Sequence, residues 1–236
     1  MFPTFAEYYD LIYSAFKDYA SEVAQIVALL RRVHPQCRTV LDVACGTGEH
    51  TWRLAAEGFV VDGLDIDPAF VRIASGKHPA GRFFEADMSD FALPHRYDAV
   101  LSLFSSIGYL RTLDRVQRAL VCFREHLEPG GVIIVEPWLL HGVLDTSGTF
   151  THSAEASGVR VSRHSRAEVE GSLSRLHFEY EIDEHGTTRR VNEVHELGLF
   201  TTEELMQAFR HAGLAVEHDP EGLTGRGLFI ARSTPD

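Results

Sequence analysis

The chain is predicted to fold as an α/β domain, a largely parallel sheet covered by helices on both faces, with a small antiparallel β-sheet inserted late in the sequence. Three observations carry that prediction. Through residue 137, short apolar runs alternate with segments of helical period, the pattern of parallel strands joined by crossover helices. From about Thr149 to Leu199 the pattern changes to polar, alternating segments. The first apolar run, Leu41-Asp42-Val43, enters a bend, Ala44-Cys45-Gly46-Thr47-Gly48, of the kind that passes beneath a ligand at the carboxyl edge of such a sheet.

Each element has a local reason. Ser21 to Val33 carries Val23, Ile26, Val27 and Leu30 at helical spacing and stops before Pro35. Thr39 to Val43 is the first strand, Gly48 to Glu57 a helix, and Phe59 to Leu64 the second strand. Asp67 caps a helix whose first turn accommodates Pro68. Arg82 to Ala86 and Tyr97 to Phe104 read as further strands, Leu113 to His126 as a helix, and Pro129-Gly130-Gly131 as a turn into the strand Val132 to Glu136. In the later region Val159-Arg160-Val161-Ser162 and His177 to Ile182 alternate, and Asp183-Glu184-His185-Gly186 turns between strands. Thr201 or Thr202 caps a helix ending near Gly213, with Glu203 and Glu204 placed where the helix dipole favours acids. Ala215 to His218 and Gly227 to Ala231 close the sheet as a hairpin. The expected organisation is a main domain of residues 1–137 and 200–236, with 138–199 inserted as a sheet covering the substrate.

Composition narrows the classes of function. A chain of 236 residues with 44% hydrophobic and 24% charged residues is an ordinary globular protein. Its 34 acids against 22 Lys plus Arg give a formal charge of −12, which argues against nucleic acid or anionic membrane as partner. Cys37, Cys45 and Cys122 show no paired spacing, so neither a disulfide framework nor a metal site is expected, and a reducing cytoplasm is the expected compartment. No secretory leader or membrane span is read.

The ligand follows from the bend and from Asp65, which ends the second strand 19 positions after Gly46. A carboxylate there accepts hydrogen bonds from ribose hydroxyls. A dinucleotide site usually adds a third glycine three residues after Gly48, but Thr51 stands there, and no Gly-Lys-Ser/Thr follows for a phosphate loop. An adenosine ligand without phosphates fits, which points to S-adenosylmethionine.

The sequence also resembles the class I methyltransferases, with their Rossmann-like sheet. The residues that carry the resemblance are Asp42-x-Ala44-x-Gly46-x-Gly48, Asp65, Asp87-Met88, Leu103-Phe104-Ser105 and Pro129-Gly130-Gly131. Within that class it is similar to the N,N-dimethyltransferases of nucleotide-linked 3-amino-deoxysugars in macrolide-sugar pathways. That likeness rests on Phe5-Ala6-Glu7-x-Tyr9-Asp10, Lys17-Asp18-Tyr19, Phe104-Ser105-Ser106-Ile107-Gly108, Val135-Glu136-Pro137-Trp138 and Gly225-Arg226-Gly227-Leu228-Phe229. The resemblance implies that Ala44 and Gly46 run under the cofactor, that Asp65 and Ile66 hold ribose and adenine, and that Asp87 and Met88 read the adenine amino group. It further implies that Tyr13 and Tyr19 are lid tyrosines, that Phe104 lies at the cofactor, and that Tyr9, Trp138 and Arg226 meet a nucleotide-sugar substrate.

An amine acceptor must present a lone pair before attack, so a proton acceptor is needed. Tyr109 occupies the position where the resembling enzymes typically carry histidine. A phenol, ordinarily titrating near ~10, is a poor base but a good hydrogen-bond partner. Glu136 is a second candidate, against a purely structural carboxylate, and His195 a third, against a surface histidine. Arg226, between two glycines, has the planar fork to clamp a diphosphate. Two further readings stay open: methylation of a hydroxyl or amine on another small metabolite, and a binding module without turnover. The inserted sheet is the candidate surface for a homodimer.

Overall fold

The computed structural model of the chain describes residues 6–139, 144 and 146–233; Phe5 of the N-terminal motif lies outside them. Seven strands form the main sheet: β1 (Thr39–Val43), β2 (Val60–Asp65), β3 (Phe83–Glu85), β4 (Tyr97–Ser102), β5 (Leu127–Val135), β10 (Leu214–Asp219) and β11 (Leu228–Ser233). Their order is β10-β11-β5-β4-β1-β2-β3, parallel from β3 to β5, with β11 antiparallel to β5 and β10 antiparallel to β11. The closing hairpin is therefore as expected. Alternate side chains of each strand enter opposite layers. Leu41, Val43, Ile133 and Val135 pack on α5 (Leu113–Glu125) and α6 (Thr202–His211), whereas Val40, Val132 and Ile134 pack on α2 (Tyr19–Val33).

The caps agree with the sequence. The Asp67 side chain accepts from the Ala69 N–H at the start of α4 (Pro68–Lys77), and Thr201 and Glu204 form a reciprocal capping box. Two features differ. Pro129-Gly130-Gly131 does not separate a helix from a strand but sits inside β5 as a bulge, since Tyr97 pairs with Leu127 and Ala99 already with Val132. In addition, Ala6–Ser14 forms a helix, α1, which the opening aromatic residues did not announce.

The inserted sheet has four antiparallel strands in sequence order, β6 (Thr149–Ala156), β7 (Val159–Glu170), β8 (Leu173–Glu184) and β9 (Thr187–Gly198). The β8–β9 turn falls at His185 and Gly186, whose φ values of 52° and 82° suit a two-residue hairpin of the primed type. Register places Phe150, Ser165, Phe178 and Glu193 in one row and His152, Arg163, Tyr180 and Val191 in the next. α1 packs on this face, where Ile12 and Tyr13 meet Val161, Phe178, Tyr180 and Ile182.

Candidate active site

A cavity of about 620 Å³ lies beyond the carboxyl ends of β1, β2 and β4, between them and the inner face of the inserted sheet. Its floor is the bend after β1. Ala44 is held at φ 58°, a left-handed conformation that costs a non-glycine residue roughly 1–3 kcal/mol, and Gly46 at φ 56°. A Cβ on Gly46 would meet nothing within 4 Å, so the backbone there borders open space. Gly48 serves packing instead. A Cβ on it would stand 3.0 Å from that of Ala74, and its absence lets α3 (Glu49–Ala56) approach α4 closely. Thr51, which replaces the third glycine of a dinucleotide site, donates its hydroxyl to Asp42 Oδ2 at 2.8 Å and so satisfies a buried carboxylate.

Asp65 ends β2 with both oxygens engaged, Oδ2 by the Gly46 N–H at 2.8 Å and Oδ1 by the Asp67 N–H at 2.9 Å. Each oxygen keeps a lone pair for a ribose hydroxyl. Burial pushes its carboxyl up to about 6, against the lowering effect of the two N–H groups. Beside it Ile66 is 60% exposed and lines the cavity, an apolar shelf for a flat base. Asp87 and Met88 line the same wall. Asp87 also caps its own turn: Oδ1 accepts from the Ser89 N–H and hydroxyl, and Oδ2 from Arg115. Against the opposing effect of partial burial, these donors hold its carboxyl below the usual range.

The opposite side is aromatic. Tyr9 and Tyr13 on α1 stack at 4.2 Å, and Tyr13 meets Phe104 edge-on at 5.4 Å. All three line the cavity. Phe104 and Ser105 follow β4 with φ of 51° and 68°, a strained corner that turns the chain along the cavity edge. Tyr19 lines not the main cavity but an adjoining space of about 40 Å³ bordered by the same bend, shared with Tyr9, Ala44, Gly46, His50 and Phe104. Being the first residue of α2, it is tied to that helix and packs on His50 at 5.2 Å. Among the described residues no group of three or more His, Cys, Asp or Glu side chains gathers to hold a metal, and no helix is long and apolar enough to cross a membrane.

Residues 40–131, which include the bend, match the methyltransferase domain family. Over 227 residues, 95% of this chain and 89% of the relative, the sequence is 39% identical to a dTDP-3-amino-3,6-dideoxy-alpha-D-glucopyranose N,N-dimethyltransferase of Streptomyces fradiae. The chain belongs to the sugar N,N-dimethyltransferases. The fold agrees with that of Streptomyces venezuelae DesVI at a TM-score of 0.91 and 36% identity, covering 97% of this chain and 98% of that one. It also agrees with SAM-bound CalS10, an amino pentose methyltransferase from Micromonospora echinaspora, at 0.86 and 32%, covering 96% of each.

In this methyltransferase the expected acceptor residues have different fates. Tyr109, on a 3-10 turn (Ser106–Leu110), lines the cavity, as do Trp138 and Arg226. Arg226 donates to Ser105 Oγ at 3.0 Å and lies over the rings of Phe104 and Trp138; among the described residues it has no carboxylate partner. Trp138 is anchored by its indole N–H, which donates to Ser174 Oγ at 3.0 Å.

Glu136 departs from the catalytic expectation, and His195 is set back from the cavity wall. Glu136 does not face the cavity: it is fully buried, accepting from the Phe104 N–H and the Thr224 hydroxyl at 2.7 Å each, because the end of β5 points it between two loops. It ties those loops and does not meet an amine. His195 is neither on the surface nor on the cavity wall. It is 2% exposed on β9, with Nδ1 3.0 Å from the Tyr109 hydroxyl and Nε2 3.2 Å from Glu193.

Sequence reasoning missed the wall supplied by the inserted sheet. Phe150 and His152 of β6, Arg163 and Ser165 of β7, and Phe178 of β8 all face the cavity. Arg163 is only 6% exposed, its guanidinium lies over Tyr13, Phe16 and Phe178, and its Nε has no hydrogen-bond partner. The available signal was period two, which puts Arg163 and Ser165 on one face with Val161, opposite Phe178 and Tyr180.

Proposed function

We propose that this enzyme methylates the amino group of an amino-deoxysugar carried on a nucleoside diphosphate. S-adenosylmethionine is its cofactor and supplies an electrophilic methyl when bound. The observation that carries the reading is the joint one of full-length similarity to sugar N,N-dimethyltransferases and a single cavity with two unlike ends. At one end Ala44, Gly46, Asp65 and Ile66 offer backbone, a ribose acid and an apolar shelf, and Asp87, Met88 and Phe104 complete it. Tyr9 and Tyr13 cover the middle, with Tyr19 below them.

At the other end the guanidinium groups of Arg226 and Arg163 face a chamber that is largely aromatic and apolar, with His152, Ser165 and Arg166 also on its wall, in a protein of formal charge −12. Such a pair of forks selects a dianion with apolar neighbours, as a sugar diphosphate is. Residues 138–199 serve as the substrate-covering subdomain, and Trp138 packs beside the sugar. Because sulfonium transfer disperses charge, alignment and exclusion of water supply most of the acceleration, which an enclosed aromatic chamber provides.

The enzyme works in a reducing cytoplasm, consistent with three free cysteines, and forms a homodimer through the outer face of the inserted sheet, where Val194 is exposed. Sedimentation would show a monomer if the latter is wrong. The functional test is mass spectrometry of dTDP-linked 3-amino sugars and their hydroxy analogues incubated with enzyme and cofactor. One or two methyl groups are expected on the amines alone; methylation of the hydroxy analogues would move the assignment to oxygen.

A further inference from the structure

Resting on the amine-methylating reading, we propose that Tyr109, His195 and Glu193 form a proton relay that withdraws the proton of the acceptor amine, with Tyr109 touching substrate and His195 and Glu193 acting through it. The three side chains come from separate elements for separate reasons. Tyr109 follows the strained Phe104-Ser105 corner, which turns the 3-10 helix onto β9. Glu193 and His195 are two apart on β9 and therefore share its inner face. Phe178 of β8 packs on the imidazole at 5.0 Å and Tyr109 at 5.9 Å, so the ring is fixed from two sides.

The partners assign the tautomer. Glu193 accepts from Nε2–H at 3.2 Å, which makes Nδ1 the acceptor of the Tyr109 O–H at 3.0 Å. With its proton committed inward, the phenol oxygen turns its lone pairs toward the cavity. A phenol cannot serve alone, since burial, with Tyr13, Glu193 and Asp65 adding to it, pushes its ionisation well above the ordinary value. Linked to an imidazole it has no need to ionise. The substrate ammonium gives its proton to Tyr109 Oη as the phenolic proton passes to His195 Nδ1, leaving a neutral amine, a neutral tyrosine and an imidazolium paired with Glu193. The amine lone pair then forms the C–N bond as the S–C bond breaks, and its electrons stay on sulfur. Each methyl transferred releases one proton. Glu193, less deeply buried than His195, stands on the side by which that proton leaves.

The test compares wild type, Tyr109→Phe, His195→Asn, Glu193→Gln and the double variant Tyr109→Phe/His195→Asn. The probes are a dTDP-linked 3-amino sugar and its hydroxylamino counterpart, whose nitrogen is unprotonated at the assay pH. Expected for the amine are a loss of about a hundredfold in kcat for Tyr109→Phe and for His195→Asn with KM little changed, and no further loss in the double variant. On the hydroxylamino probe all four variants should lose far less than on the amine, and unchanged circular dichroism and S-adenosylmethionine affinity would show that they are folded. Full amine turnover by His195→Asn, additive losses in the double variant, or equal losses on both probes would each overturn the relay while leaving amine methylation standing. Absence of turnover by the wild type on either probe would overturn the parent reading, and the relay with it.

Discussion

The two ends of the cavity are built on different principles. At the proposed cofactor end, the groups that border the cavity lie within a few residues of a strand terminus, and backbone sets much of their arrangement: the bend at Ala44 to Gly48, and the Gly46 and Asp67 N–H groups that fix Asp65. At the proposed acceptor end nearly every contact is a side chain, gathered from a 3-10 turn, from the loop before β11 and from all four inserted strands. A site made of backbone constrains what residue types are allowed, so it leaves a motif. One made of side chains on a regular sheet leaves only a period, and it can be rebuilt for a new acceptor without disturbing the cofactor.

If that division holds, mutations should separate by end. The largest effect is expected for Asp65→Ala: losing the carboxylate proposed to receive the ribose hydroxyls should weaken cofactor binding by about 3 kcal/mol, more than a hundredfold. Calorimetry would measure it, and equilibrium binding of the nucleotide sugar should be nearly unaffected. Next comes Arg226→Ala, with an expected loss of about 2 kcal/mol, some thirtyfold, in affinity for the nucleotide sugar and none for S-adenosylmethionine. Equal losses of both ligands would show that Arg226 supports the Phe104 corner and does not clamp a diphosphate.

The same division explains what was legible. Thr39 to Val43, the Asp67 cap and the Thr201 box were readable because their causes are local, an apolar run or one side chain reaching one N–H. Ala44, Gly46, Asp65 and Ile66 border one cavity with Tyr109, Trp138 and Arg226. The cavity-facing position of Arg163 depends on its register with His152 of β6 and Tyr180 of β8, which no short motif encodes. Glu136 misled for a related reason: a carboxylate at a strand end is a natural candidate, but its partners, Phe104 and Thr224, lie 32 and 88 residues away.

Glu136 is also where the two ends are joined, since it holds the corner beside the cofactor and the loop that leads to Arg226. Glu136→Gln keeps the shape and can still accept from the Phe104 N–H, but it meets the Thr224 hydroxyl only by donating to it, and both bonds lose the strength a charged carboxylate lends them. A loss of about 1.5–2 kcal/mol in stability is expected, read as a lower melting temperature, with weaker binding of both ligands. Loss confined to one ligand would mean that the seam is less shared than the hydrogen bonds imply.

The smallest predicted effect is a pH dependence of opposite sign in two measurements. With its carboxyl raised to about 6, Asp65 is mostly protonated at pH 5 and mostly ionised at pH 7. Ribose hydroxyls donate to the ionised form, so acidification from pH 7 to 5 should weaken cofactor binding by about tenfold. For folding the sign reverses. A carboxyl titrating higher in the folded state than its ordinary ~3.9 contributes stability below ~3.9 and loses it as pH rises through about 6. Free of ligand, this group therefore favours the fold in acid, while Asp62, Asp87 and Asp98, held low by their donors despite partial burial, act in the opposite direction. Only the difference between wild type and Asp65→Asn isolates it: the melting advantage of Asn over Asp should grow from pH 5 to 7, and the tenfold pH effect on binding should vanish in the variant. A variant that keeps the pH effect would place the titrating group elsewhere in the cofactor end, with Asp87 the next carboxylate on that wall.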